Sequence, residues 1–147
     1  MDCTIDELLN YKNQAVVKRF QSEFPHFKDQ AEEIFKDLLR FFWASEKHEQ
    51  IKESSNSLQY DFIFIMDEVM KPIDQMWHVF LLYTKDYMDF CEKYFNQYIH
   101  HLPDIVPDLP QNEEAFAENL EKFLHYTYDT LGAEVVERWF DVSMEAQ

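Results

Sequence analysis

The chain has 147 residues, long enough to bury one hydrophobic core unaided. Its 46% hydrophobic and 17% aromatic content, with one Gly and five Pro, excludes a disordered chain and an array of short strands, and favours helices. Thirteen Lys plus Arg against 29 Asp plus Glu give a net charge of −16, which repels phosphate backbones and anionic headgroups; nucleic acid and membrane surfaces are therefore not expected partners, whereas a protein with a basic surface is.

Cys3 and Cys91 make no disulfide framework in a chain of this size, which points to a reducing, cytoplasmic setting. The opening MDCTIDELLN carries acids and no apolar leader, and no run is long enough to span a bilayer. Export by a route that reads no N-terminal peptide stays compatible with this.

Thr4-x-x-Glu7 forms a capping box, with Cys3 and Leu8 at hydrophobic-staple positions. Ile5, Leu8, Leu9, Val16 and Phe20 then predict a helix from about Ile5 to Gln21. Pro25 interrupts it. Asp29-x-x-Glu32 signals a second start before Ala31, Ile34, Phe35, Leu38, Phe41 and Phe42, with an end near Lys47 and Trp43 as core filling. From His48 to Ser57 the chain is polar and reads as a loop with His48 in solvent. The run YDFIFIMDEVM fits a strand or a helix; helix is expected, because no second strand is available to pair.

The stretch from Pro72 to Pro103 gathers aromatics, Cys91 and three of the six histidines. Pro72 suits a first helical turn, and Ile73, Met76, Trp77, Phe80 and Leu81 follow as one buried face. Asp74 and His78, four residues apart, differ by only about 40° around such a helix and stand on the shoulder of that face. There a carboxylate can orient an imidazole, or both can ligate one metal ion. Thr84 is placed to cap a further helix whose face is Tyr87, Phe90, Cys91, Tyr94 and Phe95, with Asn96 as a left-handed C-cap. In the middle of that face Cys91 reads as a small hydrophobe before it reads as a ligand or nucleophile.

Tyr98-Ile99-His100-His101-Leu102-Pro103 should be extended, so that at most one of His100 and His101 faces a site beside His78. Two histidines and a carboxylate make a zinc or non-haem iron shell. The order Asp74-x-x-Trp77-His78, then Tyr87-x-x-x-Cys91 and Phe95, resembles the signature of the glycine-rich-domain-containing-protein-like family, over Pro72 to Phe95. Phe80 stands where that family's D-x-x-W-H-x-H pattern has a second His, Asn96 stands where Gly is common, and the glycine-rich region is absent. The resemblance implies a helical domain with Asp74, Trp77, His78, Tyr87 and Cys91 close together.

PDIVPDLPQNEEAF reads as a surface connector, with Asn112 capping a helix whose inner face is Phe116, Leu120, Phe123, Leu124, Thr127 and Leu131. Gly132 is a C-cap or kink before a last amphipathic helix through Val135, Val136, Trp139 and Phe140; His125 lies at the solvent edge.

The expectation is an all-α, single-domain irregular bundle of about five to seven helices over residues 1–147. No glycine-rich phosphate loop, HExxH, nucleophile elbow or cysteine pair at zinc spacing occurs, which leans against an enzyme. The first functional reading is an acidic protein-interaction module of adaptor or inhibitor type. The second is a metal-binding domain, zinc or iron, with His78, His100, His101 and Asp74 as the ligand set and Trp77, Tyr87 and Cys91 lining the site. The aromatic surplus fits a core or a dimer seam equally, so oligomeric state is left open.

Overall fold

The computed structural model describes residues 1–101 and 112–142. Among them the regular structure is wholly helical: α1 (Ile5–Leu9), α2 (Gln14–Glu23), α3 (Ala31–Ser54), α4 (Lys71–Leu82), α5 (Thr84–Phe95), α6 (Glu113–Leu131) and α7 (Ala133–Phe140), with 3-10 turns at Pro25–Gln30, Leu58–Tyr60 and Glu68–Met70. The expected irregular all-α bundle is what forms. These residues gather into two compact units, one of Met1–Trp43 and Lys71–His100, the other of Ala44–Met70 and His101–Gln147. The expected connector through 102–111 lies outside the described residues.

In the first unit the helix expected from Ile5 to Gln21 is two. Asn10 closes α1 and the Asn13 side chain accepts from the Val16 N–H at 3.2 Å to start α2, because asparagine satisfies a helix end better than a helix middle. The break frees Tyr11 to enter the ring cluster, where it meets Phe90 with centroids 4.7 Å apart. At the N-terminus half of the capping box forms as expected, with Thr4 Oγ1 accepting from the Glu7 N–H at 3.1 Å; the Glu7 carboxylate takes the Thr4 hydroxyl itself.

α2 packs on α4, and α4 packs on α5. Leu8, Val16, Phe20, Phe42, Met76 and Phe80 are fully buried or nearly so. Phe80 stands edge-on to Tyr87 at 5.0 Å, Phe42 edge-on to Trp77 at 5.0 Å, and Trp43 donates its indole N–H to the Cys3 carbonyl at 3.0 Å. Each of the two ring pairs adds roughly 0.5–1.5 kcal/mol beyond the area it buries. Thr84 does not cap α5; Tyr83 occupies that position without a side-chain bond, and the first turn is tied to α2 by Asn13 donating to Asp86 at 3.1 Å. Asn96 does end α5 in the left-handed region, at φ 56°.

In the second unit α3 does not stop near Lys47 but runs to Ser54, so the polar stretch expected as a loop is mostly helix. His48 is consequently not in solvent: it is 2% exposed, its ring 4.1 Å from Phe62 and 5.3 Å from both Phe64 and Tyr126. The following apolar run is not the expected helix either. Residues 61–67 are irregular between two short 3-10 turns, and Asn119 of α6 serves as their partner, accepting from the Ile63 N–H at 2.9 Å and donating to the Ile63 carbonyl at 3.0 Å.

That bridge rotates α6 from the expected face. Asn119, Phe123, Tyr126 and Thr127 are buried, while Phe116 is exposed and Leu120, Leu124 and Leu131 are half-buried. Asn112 caps α6 as expected, accepting from Ala115 N–H at 2.8 Å. Gly132 joins α6 to α7 at φ 95°, and a Cβ built there meets nothing within 4 Å, so its backbone conformation and not crowding requires glycine. α7 packs on α6, burying Val135, Val136 and Trp139.

Candidate metal centre

α4 begins at Lys71 with Pro72 in its first turn, where a missing N–H costs nothing, and its apolar face drives Ile73, Met76, Trp77 and Phe80 inward. That rotation fixes the two polar residues between them. Asp74 sits in the first turn, on the favourable end of the helix dipole, with its side chain 37% exposed; His78, one turn on, has its side chain 60% exposed. Asp74 Oδ2 and His78 Nε2 are 3.6 Å apart, beyond hydrogen-bond length and about the spacing of two atoms that share one ion.

The third member comes from the chain after α5. His101 is peptide-bonded to His100, the last residue of the first unit, and is half-buried. One ligand atom from each of Asp74, His78 and His101 lies within 4.8 Å of the other two. Around a tetrahedral ion with bonds of roughly 2.0–2.2 Å, such atoms sit about 3.4 Å apart, so closure requires side-chain rotations of about an ångström. His100 is not in this group: it is exposed and its ring stands edge-on to Tyr98 at 4.7 Å.

Trp77, Tyr87 and Cys91, expected to line the site, lie instead on the buried side of the α4–α5 pair, at 7%, 1% and 1% exposure. Trp77 Nε1 donates to the Tyr87 hydroxyl at 3.0 Å, and that hydroxyl donates to the Ile99 carbonyl at 2.5 Å. Burial, with Cys91 beside it, pushes the Tyr87 phenol far above its ordinary range, so it remains a neutral donor. Cys91 is enclosed by the same core and is not presented to a substrate.

Sequence reasoning missed His48, Asn119 and Asp37. His48 Nε2 is 2.9 Å from the Tyr60 carbonyl, which can only accept, so Nε2 carries a proton. Burial lowers the pKa of His48, and nearby Lys52 lowers it further; the bond to Tyr60 and the charge of Glu49 act the other way. Asp37, 4% exposed, pairs with Arg40 at 2.6 Å, and Arg40 also reaches Glu33 at 3.0 Å. The i,i+3 spacing of Asp37 and Arg40 was the one visible signal among these.

Among the described residues no helix is long and apolar enough to cross a membrane. No curated protein and no solved structure matches the chain. A family model described as UCP032817-like matches residues 5–127, a span that takes in Asp74, His78 and His101. This overturns the resemblance to the glycine-rich-domain-containing-protein-like family. Trp77 and Tyr87 do meet, but two paired amphipathic helices bring aromatics on their facing sides together whatever their family. The chain belongs to the UCP032817-like family.

Proposed function

We propose that this protein binds one divalent transition-metal ion, zinc or iron(II), through Asp74, His78 and His101. The observation that carries the reading is the convergence of their three ligand atoms within 4.8 Å. Two imidazoles and one carboxylate suit these ions, and three protein ligands leave positions open for water or a small ligand, as in sites where the ion acts on something. The exposure of His78 keeps those positions within reach of solvent. Asp74 and His78 are set by one helical turn, so only His101 depends on the course of the chain after α5.

The test is zinc titration by calorimetry of the untagged full chain. Wild-type protein should bind near one equivalent; His78→Ala and His101→Ala should each weaken binding at least about tenfold, and His100→Ala should not. No binding by the wild type, or equal binding by all three variants, would sink the reading.

A second reading, an acidic module that docks on a basic protein, draws on the outer face of α6, where Glu113, Glu114, Glu118, Glu121 and Asp129 are all exposed. Association of that kind weakens steeply with added salt, and a partner whose affinity ignores salt would exclude it.

A further inference from the structure

We infer that Tyr87 is the positioning residue of this metal centre, its hydroxyl holding the chain at Ile99 so that His101 is delivered to Asp74 and His78. The inference rests on the metal-binding reading above. Two of the three proposed ligands are chain neighbours of one buried hydrogen-bond relay. Trp77, its donor, immediately precedes His78 on α4; Ile99, its acceptor, stands two residues before His101.

The left-handed Asn96 ends α5 and turns the chain out of the helix, and residues 97–101 have neither helix nor strand to hold their course. The bond from Tyr87 to Ile99 does so from the side, and the Tyr98 ring packed edge-on to Tyr87 at 5.3 Å reinforces it. A ligand set must be held to a few tenths of an ångström for tight binding. A released extended chain moves its side chains by whole ångströms, since each residue spans about 3.3 Å. Tyr87 suits this role because burial keeps it uncharged, and because Trp77 on one side and Ile99 on the other fix which lone pair accepts and where the proton points.

The test compares Tyr87→Phe with Tyr126→Phe in the full chain, by zinc calorimetry and by the visible absorption of bound cobalt(II). Tyr126 makes a matched bond, hydroxyl to the Ala44 carbonyl at 2.8 Å, so Y126F reproduces the loss of a buried hydroxyl whose bond reaches neither α4 nor residues 97–101. Y87F should weaken zinc binding about 10–100-fold and reduce the cobalt ligand-field bands, the size seen when groups that orient metal ligands are removed. Y126F should change neither.

Wild-type affinity in Y87F, or an equal loss in Y126F, would overturn the positioning role while leaving the metal site standing. Failure of the wild type to bind zinc or cobalt would overturn both. Should Y87F not fold, Trp77→Phe carries the test: it keeps the Tyr87–Ile99 bond but removes the donor that orients it, so weaker zinc binding supports the role and unchanged binding overturns it.

Discussion

The first unit holds its non-helical tail with Tyr87, a group that stays neutral at any ordinary pH, whereas the second holds its irregular segment with Asn119 and with His48, a group that titrates. Both devices are side chains on helices bonding to backbone that has no ladder of its own. The difference lies in their proton chemistry. A phenol raised by burial adds no pH dependence to the first unit, while an imidazole lowered by burial adds one to the second.

The largest test of this contrast is packing, which should be alike in the two units. Phe90→Ala in the first unit and Phe123→Ala in the second each remove a ring that is 1% exposed and set among other rings, and each should cost about 3–5 kcal/mol by denaturant unfolding. A cost under about 1 kcal/mol for either would mean that its cluster is not a packed core. Next comes Asn119→Ala. It leaves the Ile63 N–H and carbonyl without their shared partner and should cost about 1–3 kcal/mol, unless water replaces the amide, in which case the loss falls to a few tenths.

The pH dependence of His48 should be smaller and has a definite sign. Its folded pKa lies below the ordinary 6.5, so the unfolded chain binds more protons across that gap. Stability from His48 is complete above about pH 6.5, is lost as pH falls toward the folded pKa, and is level below it, with a slope of at most about 1.4 kcal/mol per pH unit. His48→Gln should flatten that part of the stability profile. A Y87F profile parallel to that of the wild type would complete the contrast; an unchanged slope in H48Q would break it. Smallest of all, His125→Ala on the exposed face of α6, where Glu121 is 3.8 Å away, should shift stability by less than about 0.5 kcal/mol.

Much of this was legible in residues whose effect is local. Asn96, Asn112 and Gly132 act on their own helix ends, and all three stand where backbone chemistry alone places them. The Asp74–His78 pair was legible for the same reason, since one helical turn fixes both. What could not be read depends on partners distant in the chain. His48 sits in EKHEQIKES, a stretch whose polarity suggests a loop, and only the rings of Phe62 and Tyr126 give it a buried place. Asn119 looks like an outward residue until Ile63, 56 positions earlier, takes its amide. The break between α1 and α2 was visible as Asn10 and Asn13, but the apolar spacing across it suggested continuity. Aromatics at helical spacing, such as Trp77 and Tyr87, mark a packed helix pair and do not by themselves distinguish one helical family from another.

The Asn119 bridge has a further consequence for the chain's behaviour at high concentration. Phe62-Ile63-Phe64-Ile65-Met66 is an uncharged run of high β-propensity, the kind of segment that templates cross-β growth when its backbone is open to a second molecule. At Ile63 the amide of Asn119 supplies both the acceptor and the donor that a neighbouring strand would offer. One side chain thus stands in for a missing strand and closes that position of the run to fibril growth.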